Sequence, residues 1–95
     1  MKNIQKDFFE TLSAIQDSAV YQALAEYDKN ESLEDLLYNA TYEAITSICE
    51  LLDGYTNDKL QLDLIDMKSV KSIKEGIQMH DVCANYLKWE NSNRK

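Results

Sequence analysis

His80 and Cys83 are the pair of residues in this sequence best suited to chemistry. A neutral imidazole can take a proton from a thiol, and the thiolate that results is a strong nucleophile. The two positions are three apart, so their side chains are neighbours if this segment is helical. Nucleophilic catalysis also needs a group that orients the imidazole and an oxyanion hole, and the sequence identifies neither. On a helical wheel His80 falls at the rim of an apolar stripe, as a boundary residue does. We therefore predict that the chain is not an enzyme.

The sequence gives no better support for a metal or cofactor site. A zinc site takes four ligands, and this chain offers one histidine and two separated cysteines, Cys49 and Cys83. The run around Asp53, Gly54 and Asp58 lacks the alternating oxygen ligands and the terminal glutamate of a calcium loop. Neither glycine lies in a phosphate-binding run. We expect no metal, no cofactor and no small-molecule substrate.

Two carboxylate pairs could act as acid and base if desolvation raised the pKa of one member. Glu34 and Asp35 stand where the first turn of a helix is expected, and the helix dipole favours acids there. Asp63 and Asp66 fit the solvent face of a strand and a turn. We interpret both pairs as structural.

A long central helix, from about Leu33 to Asp53, is the clearest element. Ser32 is a helix N-cap residue, Asp35 follows at the third position of a capping box, and Gly54 is a C-terminal stop. One apolar stripe of this helix contains Leu33, Leu37, Ala40, Ala44, Ile48 and Leu51. A second stripe, about 120° further round, contains Tyr38, Tyr42, Ile45, Cys49 and Leu52. Together they make the helix apolar over about two-thirds of its circumference, so it needs cover on several sides.

Two explanations of the second stripe stay open. The helix can be central, packed between the N-terminal helix and the strands, or the stripe can meet a second subunit. Tyrosine is favoured at protein interfaces because its ring is apolar and its hydroxyl is polar. The candidate interface residues are Tyr38, Tyr42, Ile45, Cys49 and Leu52.

The first helix carries an apolar face at helical spacing, formed by Ile4, Phe8, Leu12, Ile15 and Ala19. Near Ser18 the phase changes to a new stripe of Val20, Ala23, Leu24 and Tyr27. This change predicts either a bend or two short helices. We expect the helix to end near Asp28, before a polar run.

A strand is predicted over Lys59 to Asp66, where Leu60, Leu62 and Leu64 alternate with polar residues. The segment from Met67 to Ile77 is ambiguous, because its apolar spacing also suits a helix. A lone strand would leave its backbone groups unpaired, so we favour a hairpin with a turn over 66–69 and a return strand over 70–73. A last helix is expected from a stripe of Met79, Val82, Cys83, Tyr86 and Leu87, with Trp89 at its edge.

The predicted fold class is therefore α+β: a first helix that is either bent or broken, a long central helix, a β-hairpin and a C-terminal helix. The helices are expected to pack on one face of a small antiparallel sheet. Residues 1–95 fit a single small domain, with 91–95 frayed.

Charge is unevenly distributed along the chain. The net charge is −7, and residues 1–53 carry −8 while residues 54–95 carry +1. Such an acidic protein should be repelled by nucleic acid and by anionic membranes. No transmembrane run and no signal peptide is visible, and the two cysteines fit buried apolar positions, so we expect a cytoplasmic location.

The expected function is protein–protein interaction by a small acidic cytoplasmic protein, most simply as a homodimer. The alternative is an inhibitor or immunity-type protein whose acidic N-terminal half binds a basic site on a target enzyme. The salt dependence of binding distinguishes the two functions. Electrostatically steered binding to a basic target weakens as the ionic strength rises, whereas the affinity of an apolar dimer hardly changes.

Overall fold

Helices dominate the part of the chain that the computed structural model describes, which is residues 3–57 and 59–89. The elements in chain order are α1 (Asn3–Glu26), α2 (Leu33–Leu52), β1 (Ile65–Asp66), β2 (Lys71–Ser72) and α3 (Met79–Cys83). The strands form one antiparallel pair, so the predicted α+β class is confirmed. The predicted fraying of 91–95 lies outside the described residues. None of the described helices combines the length and the apolar character that a membrane span requires.

The first helix runs without interruption, so of the two alternatives predicted near Ser18 the division into two short helices is wrong. Ile15, Ala19 and Ala23 continue one buried face through that point, and each is at most 6% exposed. The change of phase has a different origin: a second, exposed flank of the same helix begins there. Its members are Val20 and Leu24, and Tyr27 follows directly after the end of the helix.

The boundaries of α2 follow the sequence prediction closely. The Ser32 hydroxyl accepts the backbone N–H of Asp35 at 3.1 Å. At the other end Gly54 adopts a left-handed conformation with φ 93°, which glycine tolerates without a steric penalty. The Gly54 N–H donates to the Leu51 carbonyl and the Tyr55 N–H to the Glu50 carbonyl, which is a Schellman C-cap. The helix therefore ends at Leu52, with Asp53 as its C-cap residue.

The long strand predicted over Lys59 to Asp66 is wrong, since only its last two residues are strand. Leu60 is 1% exposed whereas Leu64 is 45% exposed, so the alternating leucines do not share a buried face. Leu60 is drawn into the core, and the Leu62 carbonyl accepts the Lys74 ammonium at 2.7 Å instead of a neighbouring strand. Without a ladder partner an alternating segment has no reason to stay extended.

The core lies where this irregular segment meets the two long helices. Its buried centre is formed by Ile15, Leu51 and Leu60. Around them pack the partly buried side chains of Phe8, Leu12, Ile48 and Leu62. The Asn57 side chain also donates to the Thr11 hydroxyl at 3.2 Å, tying the loop to α1. The chain after α2 therefore covers the end of the helix pair that is remote from the connection over 27–32.

The β-hairpin prediction for the ambiguous segment is confirmed in outline, although the strands are short. Ile65 pairs with Ser72 and Asp66 with Lys71. The Asp66 carboxylate accepts backbone N–H groups within the turn, and the Val70 N–H donates to the Asp66 carbonyl at 2.7 Å. The close contacts between described elements join α1 to α2, α2 to α3 and β1 to β2. The expected packing of helices on a sheet face is not seen among them, because two-residue strands with mostly exposed side chains offer no such face.

The C-terminal helix is shorter than its apolar stripe predicted and ends at Cys83. Beyond it the chain continues in turns, and Tyr86 is 82% exposed. Trp89 nevertheless stacks on Tyr42 of α2, with ring centroids 4.8 Å apart and an interplanar angle of 18°. The segment 79–89 therefore lies against α2.

Candidate functional site

A polar cluster around a buried carboxylate joins the end of α2 to the start of α3. The Asp53 side chain is 1% exposed. Its carboxylate accepts the backbone N–H of Met79 at 3.0 Å and that of His80 at 2.9 Å. The same carboxylate lies 2.6 Å from Nδ1 of His80. Three donor groups therefore converge on one buried acid.

These contacts shift the pKa of both partners. Burial alone would raise the pKa of Asp53, but the hydrogen bonds from His80 and Met79 outweigh burial and lower it. The hydrogen bond to Asp53 raises the pKa of His80, against a smaller opposing effect of desolvation. Each shift favours the charged form, so the contact is an ion pair when His80 is protonated.

A buried carboxylate that holds an imidazole by Nδ1 is also found in hydrolases, where it prepares Nε2 to act as a base. Here Nε2 of His80 faces the exposed carboxylate of Asp81 at 3.4 Å. Among the described residues no hydroxyl or thiol bonds to the ring. The Cys83 thiol instead lies 3.5 Å from the His80 carbonyl and 3.7 Å from the Thr46 hydroxyl. The two residues that could do chemistry are near each other, but the thiol does not meet the ring.

The geometry gives Asp53 a structural role as the cap of α3. The N-cap residue of that helix, Gln78, makes no side-chain cap bond, and the Asp53 carboxylate supplies the acceptors instead. Sequence reasoning missed this role, because the acid and the helix that it caps are 26 and 27 positions apart.

Cys49 is buried beside this cluster at 8% exposure, as predicted, while Cys83 is only half-buried. Burial and the neighbouring Cys83 raise the pKa of the Cys49 thiol to about 11. Such a thiol carries almost no thiolate at neutral pH and is a poor nucleophile. In the described part of the chain, no three His, Cys, Asp or Glu residues are grouped so that they could hold a metal ion.

The predicted interface stripe of α2 is divided between covered and exposed positions. Cys49 is buried, and Tyr42 lies against Trp89 of the same chain. The Lys88 ammonium lies over the Tyr38 ring, 5.7 Å from its centroid. Leu52 is half-buried, and Ile45 remains 40% exposed. The segment 79–89 thus occupies part of the surface that sequence reasoning offered to a second subunit.

A larger apolar surface lies near the connection between α1 and α2. We call it the interhelical patch, and it consists of Val20, Leu24, Tyr27, Leu33 and Leu37, which are between 42% and 66% exposed. Their exposed area is roughly 500 Å², near the upper end of what the largest patch on a typical monomer reaches. Sequence reasoning recorded both stripes that contribute to it but did not place them together.

Helical geometry puts the five side chains on one side of the helix pair. The buried residues Ile15, Ala19 and Ala23 mark the side of α1 that faces α2. At 100° per residue, the patch residues of α1 lie on one flank of that buried side. The opposite flank is polar, and Thr11 and Ser18 line a small cavity there together with Ser47 and Glu50 of α2. In antiparallel helices the flanks correspond, so Leu33 and Leu37 share the side of Val20 and Leu24.

Alongside α2 the patch continues into a groove of about 550 Å³. The groove is lined by Leu33, Glu34, Leu37, Tyr38 and Thr41. Its floor is mostly apolar and its edge carries a carboxylate, which is the composition of a protein-binding surface and not of an enclosed substrate pocket.

Comparisons of this chain with protein-family models, with curated proteins and with solved structures found no significant match.

Proposed function

We propose that this chain is a protein-binding module whose partner presents a basic surface to the interhelical patch. The observation that carries the proposal is the exposure of five apolar side chains on one side of a two-helix unit. Leaving so much apolar surface in water costs free energy, which burial against a partner recovers. Within the alternatives raised by the sequence, this is the inhibitor or immunity-type function.

The charge around the patch favours a basic partner. The segment 26–35, which joins the two helices and begins α2, contains five carboxylates and one lysine. In the described residues none of these carboxylates takes part in a salt bridge. An acidic segment next to an apolar surface attracts a positive surface and accelerates its association, whereas two copies of this half would repel each other.

The test is a pull-down from native lysate with three forms of the protein. The wild type is compared with the double variant Leu33→Ser/Leu37→Ser and with the control Met67→Ser/Val70→Ser, which removes two exposed apolar side chains of the β-hairpin. We expect a basic protein that the wild type and the control retain, that the patch variant loses, and that elutes as the salt concentration rises. If every captured protein binds all three forms equally, the patch is not a binding surface.

A homodimer through the second stripe of α2 is the second candidate, and the exposure of Ile45 supports it. If Ile45 is buried only between subunits, Ile45→Glu should give a folded monomer, because dissociation avoids burying an unpaired carboxylate. Sedimentation and circular dichroism of the wild type and this variant provide the measurement. A wild type that sediments as a folded monomer at high concentration contradicts the dimer.

A further inference from the structure

One side of α2 carries a row of exposed, mostly apolar residues. We infer that the groove beside the interhelical patch binds a basic amphipathic α-helix of the partner protein. The inference rests on the proposed function and specifies the segment of the partner that is recognised.

The exposed residues along this side of α2 have helical spacing. Leu33, Leu37, Thr41 and Ile45 follow one another at intervals of four, and together they form a single ridge of α2. The ridge is about 18 Å long, which matches about twelve residues, or three turns, of a partner helix. Side chains at i, i+3, i+4 and i+7 of that helix can fill the spaces between ridge residues.

The other sides of α2 are already occupied. One side packs on α1, and another holds α3 and the segment that ends at Trp89. The ridge residues Leu33, Leu37 and Ile45 are 66%, 57% and 40% exposed, so this side is open along its whole length. The groove is lined by residues of α2 alone, and a helix offers no strand edge to a partner in extended conformation. A helix is the element that completes this arrangement.

Charge decides which helix fits. Glu34 lines the groove, and Glu31 lies at its end near the loop. A lysine or arginine that flanks the apolar face of the partner helix would pair with the exposed carboxylate of Glu34. Lys88 is the basic group at the opposite edge, so the basic residues of the ligand belong on the side of the loop.

A second copy of this chain is a poor occupant for the same reason. Its own ridge begins beside the same acidic segment, which has five carboxylates and one lysine over 26–35, so it brings few basic groups to the acidic edge of the groove. Like charges in contact across an interface oppose binding. A basic helix meets both the apolar and the electrostatic requirement.

The test uses three fluorescent peptides of about 18 residues, or five turns. The first carries leucine on one helical face and lysine elsewhere, the second has the same composition with the leucines scrambled, and the third replaces every lysine of the first with glutamate. Binding is measured by fluorescence anisotropy at low and at physiological ionic strength, and the helix content of the bound peptide by circular dichroism.

We expect the first peptide to bind at least about tenfold more tightly than either of the others, a difference of about 1.4 kcal/mol. Leu33→Ser/Leu37→Ser should weaken binding about tenfold or more, while Met67→Ser/Val70→Ser leaves it unchanged. Glu31→Gln/Glu34→Gln should weaken binding at low salt and reduce its salt dependence.

Equal affinity for the amphipathic and the scrambled peptide would overturn the inference, as would undiminished binding to the patch variant. A wild type that excludes the peptide because it dimerises through the patch would also overturn it and would assign the surface to a second copy. If the pull-down yields a basic partner that depends on the patch while the peptides fail, the proposed function survives and the helical ligand is wrong.

Discussion

Replacing Asp53 with alanine tests whether one buried carboxylate holds the C-terminal part of the chain on α2. The substitution removes the acceptor of two backbone N–H groups at the start of α3 and of the His80 ring. Loss of a helix cap costs about 0.5–2 kcal/mol, and a hydrogen bond to a charged group contributes about 1.5–3 kcal/mol. Because the donors converge on a side chain that is 1% exposed, we expect Asp53→Ala to lower the free energy of unfolding by about 2–4 kcal/mol.

That loss is large for a chain of 95 residues, whose total stability should be about 5–14 kcal/mol. With a denaturant dependence of about 1 kcal/mol per molar urea, the unfolding midpoint should fall by about 2–4 M. Asp53→Asn keeps one acceptor oxygen and should lose roughly half as much.

The pH dependence follows from the direction of each shift. The pKa of Asp53 is lowered in the folded state, so its contribution is present above about pH 4 and is lost as the pH falls through the folded pKa. The pKa of His80 is raised, so its contribution is complete below about pH 6.5 and is lost as the pH rises through the folded pKa. The pair should therefore contribute most between these limits, and Asp53→Asn should flatten both slopes.

Urea unfolding followed by Trp89 fluorescence and by circular dichroism measures these effects. Trp89 is the single tryptophan and lies on Tyr42, so its emission reports whether the C-terminal segment is in place. Asp81→Ala is the matched control, because its carboxylate is 70% exposed and only 3.4 Å from the other ring nitrogen of His80. A midpoint for Asp53→Ala that equals that of Asp81→Ala would refute the capping role.

Two further predictions concern burial. Leu60→Ala should cost about 3–5 kcal/mol in urea unfolding and Leu64→Ala less than about 1 kcal/mol, because only Leu60 lies in the core. Equal losses of unfolding free energy would mean that Leu60 and Leu64 share a buried face, as the predicted strand requires. Cys49 should react slowly with a thiol reagent in the native state and Cys83 faster, with both reacting fully in urea, since burial raises the pKa of Cys49 to about 11. Rapid native labelling of Cys49 would show that α2 and α3 are not packed as described.

The limits of α2 and the turn of the β-hairpin could be read from the sequence because short-range interactions create them. Ser32 bonds to an amide three residues away, and Gly54 ends the helix by its own backbone conformation. In the same way the carboxylate of Asp66 holds the turn that follows it. Each of these signals involves neighbours along the chain, so residue type is sufficient to predict it.

The segment from Leu60 to Leu64 shows where local patterns fail. Alternation of leucine with polar residues suits a strand, but a strand forms only where a second strand supplies its hydrogen bonds. Here the competing interaction is the insertion of Leu60 between Ile15 and Leu51. Whether Leu60 is buried in this way depends on the space that α1 and α2 leave between them. That space cannot be predicted from the residues next to Leu60 in the sequence.

The candidate site could likewise be predicted only in part from the sequence. The sequence by itself determined that α2 carries more apolar surface than one contact can bury, that α1 carries a second apolar stripe, and that the first half of the chain is acidic. Tertiary structure decided which of that surface stays open: Trp89 covers Tyr42, and Leu60 fills the far end of the helix pair, while Leu33 and Leu37 remain in solvent. The physical reason is that helical periodicity fixes the direction of each side chain from its own helix, whereas its burial depends on segments that lie far away in the chain.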